Sequence, residues 1–378
     1  MKKKTKVLRI IARMNIGGPA FQISELLENL NGTDFEHKLI LGKCISPEKE
    51  IETLDIHWEK LIRLNTLSRN LNFFSDFVAF IEIRKIMATW RPDIVHTHTA
   101  KAGVLGRLAA MSVRPRPKLI HTFHGHLLEG YFSRYGTKLV SRVERFLARR
   151  TDKLVAVGQQ IVDDLLSVGI GEREKFEVIQ PGIRIREDNS QLKLPSNFQF
   201  LKNYTYIVWI GRLVHIKQPT LVLDLAQSMK ARYPSAHFIM VGDGNLRGQL
   251  EDRIVSEGLP VTLIGWQSNI TSILEFASLV IQTSLNEGTP LAIIQAQAAG
   301  VPVITTNVGS ISEIIEAGST GDLVEGNVAA FMTAISKYMD DEVLRIQVGL
   351  RAKEKSKNVN SPEKFLLKHE FMYRNITN

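Results

Sequence analysis

The chain has 378 residues, 44% of them hydrophobic, and 48 Lys/Arg against 39 Asp/Glu give a formal net charge of +9. That length and apolar content suit two cores, hence two domains. A single cysteine, Cys44, excludes an internal disulfide and fits a reducing cytoplasm, and the absence of a long uncharged apolar run excludes a membrane-spanning helix.

The basic start, Met1 to Lys6, leads into the apolar run Val7–Ala12, which Arg9 interrupts. The pattern predicts a first strand rather than a signal peptide. The turn that follows, Asn15-Ile16-Gly17-Gly18-Pro19, is not a dinucleotide fingerprint. Gly17 and Gly18 allow close backbone approach to a phosphate, and Pro19 can start a helix carrying Phe21 to Leu30. Further short strands are expected at Lys38–Leu41, Asp93–His96, Lys118–His121 and Lys153–Val157.

Five histidines crowd the middle of this half: His96, His98, His121, His124 and His126. No Cys, Asp or Glu lies between Ile94 and Leu128 to complete a metal site, and alternation sends His96 and His98 to one face of a strand, as for core residues. No metal is therefore expected. All of the excess charge falls in residues 1–180, with 29 Lys/Arg against 20 Asp/Glu. Arg134, Lys138, Arg142, Arg145 and Arg149 share one face of a predicted helix, beside Leu139, Val143, Phe146 and Leu147. That stripe reads either as a solvated helix face or as a surface for anionic lipid. Nothing marks a nucleic-acid-binding module.

Pro181-Gly182 and the polar stretch from Arg184 to Asn197 mark a seam between 181 and 205. The second half repeats the strand–helix alternation, with strands at 206–213, 237–242, 261–265, 279–284 and 302–306. Such alternation means parallel sheets with helices on both faces. Tyr206 to Ile210 opens into Gly211-Arg212-Leu213, with Lys217 five residues after the arginine. A planar cationic fork and a mobile ammonium just past a strand's C-terminal end suit a pyrophosphate. The next strand ends in Gly242-Asp243-Gly244. Residues 279–284 deliver Glu287-Gly288-Thr289-Pro290 and a small-residue helix from Leu291 to Ala299. There a carboxylate can accept sugar hydroxyls while the helix start favours a phosphate. No Asp-x-Asp follows a strand, so side-chain cations would replace a bridging metal.

These motifs resemble family 4 of the retaining glycosyltransferases, and the resemblance runs from about residue 7 to the last helix. It implies a GT-B fold: α/β, two Rossmann-like domains whose parallel sheets face each other across a cleft. The boundaries expected are 1–185 for an acceptor-binding domain and 186–360 for a nucleotide-sugar-binding domain. A C-terminal helix, 361–378, is expected to pack back on the first domain. The family's Gly-Arg-Leu-x-x-x-Lys turn falls on Arg212 and Lys217, which would hold the diphosphate. The first carboxylate of its Glu-x7-Glu motif is Glu287, on the sugar. The second falls on Gln295, a departure expected to lose on the order of 1 kcal/mol at the ribose. Gly211, Gly242, Gly244, Trp266, Gly288, Thr289, Pro290 and Leu291 complete the implied donor site with Gly17 and Gly18. Val308-Gly309-Ser310 with Glu313 also fits. His124, in Thr122-Phe123-His124, matches the family's histidine facing the donor sugar, and His98, Thr99 and Lys101 would meet the acceptor.

The expected activity is metal-independent transfer, with retention, of a sugar (an N-acetylhexosamine or hexose) from a nucleotide diphosphate, UDP by resemblance. The acceptor would be a lipid-linked or cell-surface saccharide, and the enzyme cytoplasmic, peripheral on the inner face of the membrane. Two other readings stand beside it. One is a catalytically silent nucleotide-sugar-binding partner subunit, the other a UDP-sugar epimerase of the same fold.

Overall fold

Strands buried on both faces need apolar side chains at successive positions, and here such runs become the centres of two all-parallel sheets. The computed structural model describes the chain except residues 1–2, 31–33, 46–48, 52–59, 126–133, 185–198, 202, 268 and 378, together with the side chains of 134 and 135. One unit comprises Met1–Gly182 with Pro362–Asn378, the other Ile183–Ser361. The expected seam and His126 fall largely or wholly outside the described residues.

The first unit runs β1 (Thr5–Ile11), α1 (Gly18–Leu30), β2 (Phe35–Leu41), β3 (Leu61–Arg63), α2 (Phe73–Trp90), β4 (Ile94–His98), α3 (Ala100–Met111), β5 (Lys118–Phe123), α4 (Arg134–Arg150), β6 (Lys153–Ala156), α5 (Gln159–Ser167) and β7 (Phe176–Val178). Its sheet order is β3-β2-β1-β4-β5-β6-β7. The second unit has β8 (Thr205–Ile210), α6 (Pro219–Met229), β9 (Ala236–Val241), α7 (Arg247–Glu257), β10 (Val261–Gly265), α8 (Ile270–Leu274) and β11 (Ala277–Gln282). It continues with α9 (Leu291–Ala299), β12 (Val303–Thr306), α10 (Ile311–Ile314), β13 (Gly321–Val324), α11 (Val328–Asp340) and α12 (Glu342–Val359), in sheet order β10-β9-β8-β11-β12-β13. In each sheet the order reverses once, between β1 and β4 and between β8 and β11. Ligands of open α/β sheets bind beyond the strand C-termini at such a switch point. The expected site residues follow these strands or their neighbours.

The expected strands form, with ends shifted by up to three residues. Three others, β3, β7 and β13, were not anticipated. They have only three or four residues each and are recognisable as strands through their pairing with a neighbour, as in the pairing of Leu39 with Leu61 and of Val303 with Gly321.

The last helix, α13 (Pro362–Thr377), belongs to the first unit. Phe365, Met372 and Tyr373 pack into a core with Val7, Leu26, Phe35, Ile94 and Ile120. On the other face of the sheet α3 packs on both α2 and α4. Arg107 of α3 is fully buried and donates to both carboxylate oxygens of Glu144 at 2.8 and 2.7 Å. Truncating one member of such a pair strands the other charge in the core. Glu144→Ala is therefore expected to destabilise the first unit by roughly 3–5 kcal/mol in denaturant unfolding. A loss under ~1 kcal/mol would mean that water reaches Arg107.

Candidate active site

The turn after β8 and the loop after β11 are stapled together. Thr283 donates its hydroxyl to the carbonyls of Lys217 (2.8 Å) and Gln218 (3.0 Å), and accepts from Trp209 Nε1 at 3.0 Å. The Leu285 amide adds a bond to the Ile216 carbonyl at 2.8 Å. Gln218 takes a left-handed conformation, φ 45°, to turn the chain from the short 3₁₀ segment His215–Lys217 into α6. Trp209 is fully buried, so its indole N–H needs an acceptor, and Thr283 provides it.

This staple sets Lys217 against Glu287. Lys217 Nζ is ion-paired with Glu287 Oε1, which also accepts from Ser284 Oγ (2.6 Å) and Gln282 Nε2 (3.0 Å). Burial pushes the Glu287 carboxyl up. The Lys217 charge and the three hydrogen bonds outweigh that and hold it below the usual range, so it is ionised at neutral pH. All three donors use Oε1. Among the described residues none engages Oε2, which stays an open anionic acceptor. Gly309 closes the arrangement from behind: at φ 57° a Cβ there would lie 1.8 Å from the Glu287 carbonyl oxygen.

The spacing of Arg212 and Lys217 predicts a joint grip on a diphosphate, but the structure gives the two cations different surroundings. Lys217 is ion-paired with Glu287, whereas the side chain of half-buried Arg212 has no hydrogen-bond or ion-pair partner among the described residues. The start of α9 is open as well, because its N-cap is Pro290 and no side chain caps it. Its first amides are left for water or an anion. Gln295 lies one turn further in, half-buried.

The glycines have more than one origin. A Cβ at Gly242 would meet the Gly211 carbonyl oxygen at 1.9 Å, and one at Gly244 the Leu213 carbonyl oxygen at 2.4 Å. These two are required where the β8 and β9 loops touch. A Cβ at Gly17 would meet nothing nearer than 3.9 Å, so packing does not demand that glycine. Trp266, just past β10, keeps a buried Nε1 without a partner among the described residues. A cavity of about 450 Å³ opens at the same edge, lined by Gln218, Ser284, Asn307, Leu323, Glu325 and Gly326. Gln282 and Ser284 were not singled out as holders of Glu287. Two polar side chains at alternate positions of a strand end are a signal the sequence does contain.

In the first unit His96, His98 and His124 line up at the ends of β4 and β5. The His96 and His98 rings are 4.3 Å apart, and His98 Nδ1 is hydrogen-bonded to His124 Nε2 at 3.1 Å. Arg9, fully buried and lacking a carboxylate, donates to His96 Nδ1 at 3.2 Å. Because arginine only donates, His96 Nδ1 accepts, and Nε2–H donates to Thr122 Oγ1 at 2.7 Å. Tyr373 of α13 reaches the same Nδ1 at 2.7 Å. Burial pushes the His124 imidazole down to about 3, so it is neutral at pH 7. Thr99 has φ 66°, a conformation that strains a β-branched residue. Its Oγ1, His98 Nε2 and His124 Nδ1 are buried without partners among the described residues, as expected where a polar ligand belongs. Lys101 does not join them, for its ammonium is ion-paired with Asp76 and bonded to the Asn70 carbonyl.

The basic stripe on α4 is partly inward. Lys138, Arg142 and Arg149 are exposed, but Arg145 is half-buried and donates to the Val168 carbonyl at 2.8 Å. Leu147 is core, while Leu139 and Phe146 are exposed. The side chain of Arg134 lies outside the described residues.

Residues 16–187 match the family described as Glycosyltransferase Family 4, and residues 191–355 match Glycosyl transferases group 1. The UDP-Gal:alpha-D-GlcNAc-diphosphoundecaprenol alpha-1,3-galactosyltransferase of Escherichia coli is 30% identical over 292 residues, 74% of this chain and 75% of that protein. The chain belongs to the group 1, family 4 glycosyltransferases. The Staphylococcus aureus capsular polysaccharide glycosyltransferase CapM is 26% identical over 345 residues, 87% of this chain and 88% of its own. Anabaena HepE, solved with UDP and glucose, superposes with a TM-score of 0.81 at 19% identity, covering 98% of this chain and 100% of its own. This glycosyltransferase thus has the GT-B fold, with a sheet of seven strands in one unit and six in the other.

Proposed function

We propose that this glycosyltransferase moves a sugar from a UDP-sugar to a saccharide carried on a lipid diphosphate, with retention and without a metal ion. The observation that carries the reading is Glu287. Its Oε1 is held by three donors and its Oε2 is open and anionic, at the sheet edge that also bears unpartnered Arg212 and the uncapped start of α9. Glu287 would accept hydrogen bonds from the sugar's hydroxyls, while Arg212 and the α9 amides would share the charge of the departing diphosphate. Such preorganised donors act where charge develops in the transition state. The names of two similar proteins, one using UDP-Gal and a diphosphoundecaprenol acceptor and one solved with UDP, support the donor and acceptor classes. Retention follows the family resemblance, and no flanking carboxylate pair stands out for a double displacement. Lys138, Arg142 and Arg149 of α4 would add attraction to an anionic membrane surface.

The test combines binding with turnover. UDP at a hundred times its dissociation constant should stabilise the protein by roughly 2.7 kcal/mol, more than GDP or ADP at the same concentration. Transfer to a lipid-linked saccharide should persist in EDTA. Stabilisation by UDP-sugar without transfer to any acceptor would instead identify a silent binding subunit, and sugar interconversion without acceptor an epimerase.

A further inference from the structure

The start of α2 carries a cluster of large apolar side chains left exposed among the described residues. Leu71, Phe73 and Phe74 are 83, 84 and 82% exposed and Phe77 60%, with Val78 and Ile81 continuing the face. Single exposed apolar residues need no explanation, but six within eleven positions, three of them phenylalanine, form a patch. It is not a frayed end. Asn72 caps the helix by accepting from the Ser75 amide at 3.0 Å, and Ser75 Oγ donates to the Thr66 carbonyl at 2.7 Å.

Both carboxylates of α2 are turned away from the patch. Asp76 is ion-paired with Lys101, and Glu82 accepts from Thr66 Oγ1. The outward face passes instead into exposed Arg84 and Lys85. Since α2 packs on α3 and α3 on α4, the aromatic patch and the exposed cations of α4 share one layer of helices. Exposed phenylalanines, a basic rim and no free carboxylate match an anionic bilayer surface, where aromatic side chains enter the headgroup boundary and cations stay outside.

We propose that the first two turns of α2, with Phe73, Phe74 and Phe77 inserted, dock this glycosyltransferase on an anionic bilayer. The patch adjoins Lys101 and Thr99 at the start of α3, so docking would bring the strained Thr99 edge close to a membrane-borne substrate. This purpose rests on the reading of the acceptor as lipid-carried, but the docking itself needs neither donor nor acceptor.

The test is sedimentation of the full chain with vesicles of phosphatidylcholine containing phosphatidylglycerol, against phosphatidylcholine alone. Wild type should bind the anionic vesicles, and part of that binding should survive salt that screens beyond a few ångströms, because insertion is apolar. Changing Phe73, Phe74 and Phe77 together to Ser should lower the partition coefficient about 100-fold, since each ring loses apolar burial. Being exposed, the three changes should leave thermal stability, UDP stabilisation and transfer to a water-soluble acceptor unaltered. UDP stabilisation measured in the same samples separates a failure of the donor reading from a failure of docking. Equal partition of the variant and wild type, or no wild-type binding at low salt, overturns the proposal. So does a wild-type dimer in analytical ultracentrifugation that the variant abolishes, because the occupant would then be a second copy.

Discussion

Arg212→Ala should lower turnover by roughly 10²–10³-fold, the loss typical when one donor to a developing negative charge is removed, about 2.7–4 kcal/mol. It should leave the thermal stability of the second unit nearly unchanged, because Arg212 has no partner to strand. Lys217→Ala should behave differently. It leaves the Glu287 carboxylate in a buried setting with only Ser284 and Gln282 as donors, so the second unit should lose on the order of 3 kcal/mol as well as activity. Without the ammonium the Glu287 carboxyl loses the main group that holds it down and titrates higher than in the wild type, so residual activity should shift its acid limb to higher pH. Adding Glu287→Gln to Lys217→Ala should restore stability but not turnover. The measurements are steady-state transfer and thermal unfolding of the four proteins. Near wild-type turnover in Arg212→Ala would remove that residue from the mechanism. Wild-type stability in Lys217→Ala would mean that the ion pair is not held as described.

Acidification from pH 7 to pH 5 should unfold the first unit cooperatively while most carboxylates remain ionised. His37, His96, His98 and His121 are pushed well below the ordinary imidazole value, by burial first and then by neighbouring histidines, Arg9 or Arg107. His369 is brought down to about 3, chiefly by burial. A histidine whose folded pKa lies below its unfolded one favours folding above the unfolded value, and that contribution drains away as pH falls toward the folded value. For His369 the loss between pH 7 and pH 5 is roughly 2 kcal/mol, given an unfolded value of about 6.5. The four others act in the same direction and add to that loss. Replacing buried Arg9 by Met should move the transition to lower pH, since Arg9 helps to depress His37, His96, His98 and His369. Melting curves across this range decide the matter: a flat profile from pH 7 to 5 would show that water reaches these imidazoles.

Much of this protein was determined locally. The run Tyr206–Ile210 had to be a buried strand, because a continuous apolar stretch of that length fits a parallel sheet covered on both sides, and Val7–Ile11 reads the same way with Arg9 as its one interruption. Glu287, Arg212 and the uncapped helix at Leu291 were legible for a related reason: in an alternating strand–helix chain the residues just past a strand end sit at the ligand-binding edge. What a residue does once there depends on partners far away in sequence, and only the tertiary structure decided that. Lys217 and Glu287 are seventy positions apart and meet because β8 and β11 are neighbours in the sheet. Lys101 is drawn to Asp76 by the packing of α2 on α3, and Arg145 to Val168 by the path of the chain after α5. The histidine row owes its neutrality first to burial and then to neighbours such as Arg9, and Tyr373, which bonds His96, arrives from the last helix, 277 positions away. Periodicity reports which face of an element is apolar. It cannot report which distant polar group will stand opposite a charge, and that pairing separates Arg212, whose side chain has no partner among the described residues, from Lys217, ion-paired with Glu287.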